Sequence, residues 1–348
     1  MSASESTYHL ALRDIHSAAG AAFERRHGWS LPAQYSDVGA EYRELREGAG
    51  IIDRSHRSRF MVTGTDALEL LRASFEAHIE DLEEGRAMRA VRLDETGTIR
   101  DLVLVARTGG IAYLVVGEPG QRAETFECLQ AAKGEDWDVR VEDRTETTCL
   151  LSVSGPRAAE VVEHHMSDAL PARLPTLACA AFEFHGFRAL ATRTSDTGDD
   201  GFEFVLAPAV AQHVIETLRG VGVPLVGDDA HEIARVEACI PAFTPDLEPG
   251  LTPAQADLDV LLDIPGGDAT RILAGVLLET DAAVPTGTMV NAESTAAGQV
   301  RSCVRSPGLN ATIALALVDA RRALPGTAID AAGIRGTIVS KPFYRRRT

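Results

Sequence analysis

Lysine is nearly missing from this 348-residue chain: of 34 basic residues, only Lys133 and Lys341 are lysines. Acidic residues number 51, which leaves a formal net charge of −17. A nucleic-acid partner demands a basic face, so this balance points away from one. Scarce lysine with abundant carboxylate fits a halophilic setting, a high-salt cytoplasm where screening suppresses self-repulsion, or a GC-rich genome. No run of about 18 apolar residues occurs, so no helical membrane span is expected. Residues 1–8 lack a basic-then-apolar leader pattern, and the expected location is cytoplasmic. The five cysteines (Cys128, Cys149, Cys179, Cys239 and Cys303) contain no CxxC pair and are odd in number. Isolated core thiols are expected, without a zinc ribbon or disulfide framework. Neither GxxxxGK[ST] nor GxGxxG occurs, which leaves phosphate-loop and dinucleotide readings unsupported. What the chain does have is 45% hydrophobic residues. That is enough for real cores, and the length suits two or three packed units.

One internal echo organises the first two thirds. Residues 60–71 (FMVTGTDALELL) and 151–162 (LSVSGPRAAEVV) share a strand–turn–helix plan. Gly64 matches Gly155, Val62 matches Val153, Ala67 matches Ala158 and Glu69 matches Glu160. The glycines suit a tight turn, and Pro156 suits the first turn of a helix. Asp66 is placed to cap the first helix, with Glu69 three residues on. Downstream of the first segment come strand-like stretches at 98–107 and 112–116, a helix-like one at 121–132 and a strand-like one at 137–142. Downstream of the second come strand-like 180–185, 187–193 and 202–206 and helix-like 208–219. Period-two and helical patterns therefore alternate, giving two related α+β units. From about Arg271 short apolar stretches at 272–278, 299–304, 312–318 and 336–340 follow one another without a helical pattern. They predict a small antiparallel barrel or sandwich. The intervening 245–267, rich in Pro, Gly and Asp, is expected to pack between the units. The domain reading is 1–266 for the paired α+β region and 267–348 for the barrel.

Several segments carry a family resemblance. GWSLPAQY at 28–35 resembles GWxxPxxY, and AGIIDRSH at 49–56 resembles AGxxDxSH. TGTIRDLV at 96–103 resembles GGxxDDLxV, and Ser154-Gly155-Pro156 resembles the QGP turn. RTSDTGDDGFE at 193–203 resembles RTGYTGEDGFE, and RVEA at 235–238 resembles RLEA. Ser306-Pro307, IALAL at 313–317 and KPFY at 341–344 resemble C-terminal barrel segments. In this order and spacing, from residue 28 to 344, the chain resembles the glycine-cleavage T-protein, or aminomethyltransferase, family.

The resemblance implies two intertwined ferredoxin-like α+β units plus a C-terminal antiparallel β-barrel, arranged as a ring around folate. It implies a tetrahydrofolate-dependent one-carbon transferase using tetrahydrofolate or a related reduced pterin. The partners it implies are folate, a small one-carbon donor and a lipoylated carrier protein, with the chain a monomer and no metal. In the GGxxDDL stretch the second aspartate, which orients the reacting amine, maps to Asp101, and the first is Arg100. Neighbours at a strand end point to opposite faces, so Arg100 need not enter the pocket with Asp101. The acid that pairs with the pterin maps to Glu203; a carboxylate offers two coplanar acceptors to an amino group and ring N–H. Met88, Asp196 and Arg235 map to further cofactor-side positions, and Arg235 with Glu237 reads as a structural polar pair.

The departures are specific. Arg57 stands where the family's DxSHM has methionine, Asp196 where it has tyrosine, and Met88 near another family tyrosine. An aromatic face stacks well on a pterin, and its loss weakens that contact. Alternatives are therefore a non-catalytic folate-binding protein assisting iron–sulfur enzyme maintenance, or a folate-dependent demethylase. The former carries a KGCYxGQ signature, where this chain reads DIPGGDATR at 263–271. Other candidates have plainer readings. His164 and His165, adjacent on a helix, face different directions and suit its C-terminal end. His56 reads as a loop histidine and Trp29 as a packing residue. The arginines at 345–347 read as a solvated tail.

Overall fold

The computed structural model describes residues 7–166, 171–247, 250–264 and 267–346. These described residues fall into two compact units, one within 1–92, 101–195 and 199–231, the other within 93–100, 196–198 and 232–348.

The first unit opens with strand β1 (Tyr8–His9), helix α1 (Arg13–Ala18), and strands β2 (Ala22–Arg26) and β3 (Trp29–Gln34). The strands make a small sheet in the order β1-β3-β2. Trp29 is a packing residue here, buried with Leu10 and Leu31. Helix α2 (Val38–Glu47) follows, begun by Asp37, whose side chain accepts from the Ala40 N–H. Strand β4 (Gly50–Asp53) comes next.

The echo is real in three dimensions. Strand β5 (Ser58–Thr63), helix α3 (Ala67–Ser74), strands β6 (Ala87–Leu93), β7 (Ile99–Gly109) and β8 (Ala112–Gly117), helix α4 (Arg122–Ala131) and strand β9 (Arg140–Asp143) form the first copy. Strand β10 (Cys149–Ser154), helix α5 (Ala158–His165), strands β11 (Cys179–Phe184), β12 (Phe187–Thr192) and β13 (Gly201–Leu206) and helix α6 (Pro208–Gly220) form the second. Their sheets run β6-β7-β8-β5-β9 and β11-β12-β13-β10-β4. The two are intertwined, because β4 precedes every strand of the first sheet yet pairs antiparallel with β10 of the second.

Strand alternation sorts the side chains. Phe60, Val62, Val103, Val105, Tyr113 and Val115 face α3 and α4 and share a core with Leu70, Leu71 and Leu129. Leu104, Ala106, Leu114 and Val116 face the other way and pack with Leu150 and Cys179 of the second sheet. The matched turns at Gly64 and Gly155 have φ of +127° and +134°. A Cβ would lie 2.0 Å from the Asp138 carbonyl oxygen at the first and 2.5 Å from that of Gly48 at the second. This close approach corrects one expectation. Asp66 does not cap its own helix; its carboxylate accepts from the Asp138 N–H at 2.8 Å, because the Gly64 turn brings that backbone alongside.

Helix α7 (Asp228–Glu237) leads into the second unit, where α8 (Pro253–Ala256) and α9 (Asp259–Leu262) are short. Thr252 and Gln255 form a reciprocal capping box at α8. Strands β14 (Arg271–Leu278), β15 (Met289–Ala292), β16 (Thr295–Ser306), β17 (Ala311–Asp319), β18 (Ala328–Ala331) and β19 (Ile334–Val339) close an antiparallel barrel in the order β14-β17-β16-β15-β18-β19. Val276, Val290, Val300, Ala316 and Ile338 are among the residues of its core. Strands β15 and β18 were not anticipated, since four residues are too few to register a period. The 263–271 stretch and the 345–347 tail each include residues outside the described ones.

Candidate functional site

Asp101 stands on the helix-facing side of β7, two residues before Val103, and is completely buried. Thr125, in the first turn of α4, donates its hydroxyl to Asp101 Oδ2 at 2.6 Å. The Glu118 N–H, just past β8, donates to Oδ1 at 3.0 Å. Burial pushes the Asp101 carboxyl up to about 7, opposed by these two hydrogen bonds; Glu118 raises it further and Arg92 lowers it. The carboxyl is thus poised between its two charge states near neutrality.

The neighbouring strand explains how Asp101 finds room. Gly117 on β8 pairs with Ser58 on β5. A Cβ on Gly117 would lie 2.7 Å from both Asp101 Oδ2 and Ser58 Oγ. Only glycine admits these two polar groups from either side. Ser58 Oγ is buried and has no hydrogen-bond partner among the described residues. Arg100, by contrast, turns outward and pairs with Asp94, as strand alternation requires.

Glu203 lies on β13, opposite Ser152 on one side and Thr192 on the other. Arg57, on the turn before β5, reaches it: Nη1 stands 3.4 Å from Glu203 Oε1 and Nη2 3.4 Å from Glu118 Oε1. Arg57 Nε also donates to the Gly117 carbonyl at 3.4 Å. The structure therefore links Asp101 and Glu203 through Glu118 and Arg57, all within the first unit. These three Arg57 contacts are each 3.4 Å.

Met88 shares the helix-facing side of the first sheet and packs against its core. Asp196 and Arg235 belong to the second unit. Asp196 lies half-buried on the bend between β12 and β13. Arg235 is fully engaged within the protein. Nε and Nη2 donate to Glu232, Nη1 to Asp246 and the Ile240 carbonyl, and Nη2 also to Ser302. A guanidinium has five N–H donors, so none is left for a ligand. The expected Arg235–Glu237 pair is also replaced: the carboxylates on Arg235 are Glu232 and Asp246, whereas Glu237 accepts from Ser306 Oγ.

His56 is buried, and desolvation together with Arg54 holds its imidazole well below the usual histidine range. Its Nδ1 has no hydrogen-bond partner among the described residues. His56 Nδ1 makes no hydrogen bond to Ser55, whose Oγ accepts from the Leu150 N–H. His164 and His165 occupy the last turn of α5. The partners of Asp101 escaped the sequence reading. The available signal was a threonine at a core position of α4, four residues before the buried Leu129, where an apolar residue would ordinarily pack.

Comparison with known proteins fits this geometry. Residues 12–265 match the GCVT N-terminal domain family, and residues 271–345 match the glycine cleavage T-protein C-terminal barrel domain family. The chain belongs to the glycine cleavage T-protein family. An aminomethyltransferase of Streptomyces avermitilis is 31% identical over 97% of this chain and 98% of its own length. One of Saccharopolyspora erythraea is 32% identical over 96% and 97%. The crystal structure of the glycine cleavage system aminomethyltransferase T from Bartonella henselae superposes with a TM-score of 0.89 at 25% identity, covering 98% of this chain and 99% of that one. The T-protein fold thus spans the whole chain, and its chemistry is of the aminomethyltransferase type, a tetrahydrofolate-dependent one-carbon transfer.

Proposed function

We propose that Asp101 is the residue that faces the reacting amine in this transfer and that Glu203 anchors the pterin. The observation that carries the reading is the buried Asp101 carboxyl, held at both oxygens, which burial pushes up to about 7. As an anion it orients a cationic amine and stabilises positive charge that develops on it. Glu203 and Glu118 add buried or part-buried acceptors, and a pterin edge is rich in N–H donors, so the donor set suits the group. When bound, the reduced pterin supplies a nucleophilic nitrogen. Arg57 must yield Glu203 Oε1 to it. Met88 offers an apolar wall on the face that carries Asp101. The one-carbon donor arrives on a lipoylated carrier protein or as a small molecule.

A second reading, folate binding without turnover, draws on the same Arg57, because its guanidinium already occupies the acid that would hold the pterin. The experiment is thermal melting with tetrahydrofolate and with tetrahydromethanopterin, followed by turnover with aminomethylated carrier and small methylated amines. Reduced pterin at a hundredfold excess over Kd should stabilise the fold by about 2.7 kcal/mol. Asp101→Asn should keep that stabilisation while cutting turnover about a hundredfold or more, since a charge-assisted contact to developing charge is lost. Glu203→Gln should weaken pterin binding first. Stabilisation without turnover of any donor would favour the second reading; no stabilisation by either pterin would overturn both.

A further inference from the structure

Thr125 is fully buried on α4. Its hydroxyl makes two hydrogen bonds of different kinds. Arg92 Nε stands 3.3 Å from Oγ1, and Oγ1 stands 2.6 Å from Asp101 Oδ2. The direction of this chain is fixed by chemistry. A guanidinium N–H only donates, so Oγ1 accepts from Arg92 and its single hydrogen goes to the carboxylate. A cation therefore polarises the hydroxyl that donates to Asp101, and linked hydrogen bonds of this sense strengthen one another in a low-dielectric interior. Arg92 is itself nearly buried and anchored by Glu124 at 3.0 Å.

We propose that Thr125 and Arg92 are positioning residues for one-carbon transfer, a relay that orients the Asp101 carboxylate and supports its negative charge. The proposal rests on the reading of Asp101 as the residue facing the amine. The charged groups facing Asp101 are Glu118 beyond β8 and Arg92 on β6; Arg57, on the turn before β5, reaches Glu118 and the Gly117 carbonyl. Ser58 on β5 and Thr125 on α4 are the neutral polar neighbours. Burial favours the neutral acid, and the Thr125 hydroxyl opposes it. Valine has the shape of threonine without the hydroxyl. In Thr125→Val, Asp101 loses a donor and burial acts with less opposition. The carboxyl then ionises at higher pH.

The test is the pH dependence of kcat/KM, alongside a carbon-13 NMR titration of Asp101 in protein labelled at aspartate, assigned by difference from Asp101→Asn. In Thr125→Val, the rising limb and the NMR titration should both move alkaline by about one to two pH units, the worth of one hydrogen bond to a charged group. The rate at pH 7 should fall about five- to fiftyfold and recover at high pH. Thr125→Ser should keep both near the parent position, and Arg92→Met should move both the same way by less. A purely structural role would lower the rate at every pH and leave the limb in place. An inactive Asp101→Asn with an unmoved limb and titration in Thr125→Val would overturn the relay alone. An Asp101→Asn variant at parent rate would instead sink the catalytic reading beneath it. Should Thr125→Val lack native circular dichroism, an unmoved Asp101 titration in Arg92→Met overturns the relay.

Discussion

Burial moves the Asp101 carboxyl up to about 7, so ionising it works against the fold. The sign follows from linkage. An acid whose folded value exceeds its ordinary 3.8 binds its proton more tightly in the folded state. Its contribution to stability is complete below about pH 4 and is lost as pH rises through about 7. Asp101→Asn removes that loss. It should therefore be more stable than the parent at pH 8, by a few kcal/mol at most, and the difference should shrink toward pH 4. Chemical denaturation at the two pH values measures it, and a gain that is equal at both would refute the burial account. Asp101 itself was legible in the sequence because a motif surrounds it. Thr125, Arg92 and Ser58 were not, because each comes from a different strand or helix and no local pattern marks a residue as the neighbour of another a fold away. Arg57 was noticed as a charge in an apolar place, but only the fold shows which acids it meets.

At the scale of elements, the two strand–turn–helix copies depend on glycine for different amounts of space and conformation. Gly155 combines φ +134° with a Cβ position 2.5 Å from the Gly48 carbonyl oxygen. Gly186, at φ +84°, has open space around it. Gly155→Ala should cost about 3 kcal/mol or more, from backbone strain and overpacking together. Gly186→Ala should cost about 1 kcal/mol, from strain alone. Urea unfolding of the pair separates the two contributions, and equal costs would show that the close approach is immaterial. Long elements were readable because they repeat a period several times, as β14, β17 and α6 do. The barrel strands β15 and β18 were too short for that. The Arg235–Asp246 pair was not legible, because Asp246 lies past the end of the helix, where no helical spacing marks a partner.

For the whole molecule, 51 acidic against 34 basic residues makes self-repulsion the dominant long-range force. Screening shortens its reach from about 30 Å at 0.01 M salt to about 3 Å at 1 M. The melting temperature should therefore rise from dilute buffer to molar potassium chloride, as calorimetry at fixed pH would record. Equal melting temperatures would leave the scarce lysines to genome composition alone.

The placement of β4 has a consequence during synthesis. Its partner across the ladder, Leu151 opposite Asp53, lies roughly a hundred residues further along. At about 5–20 residues per second, a nascent chain carries the apolar Ile51-Ile52 pair out of the ribosome some 5–20 s before β10 exists to receive it. The first sheet can assemble in that interval from β5 to β9, but the second cannot close by using its own segment alone. Until β10 emerges, β4 has no ladder to join in the second sheet. Splitting the gene between the two copies would strand it on the wrong fragment, so the duplication visible in the fold can no longer be undone by cutting the chain in half.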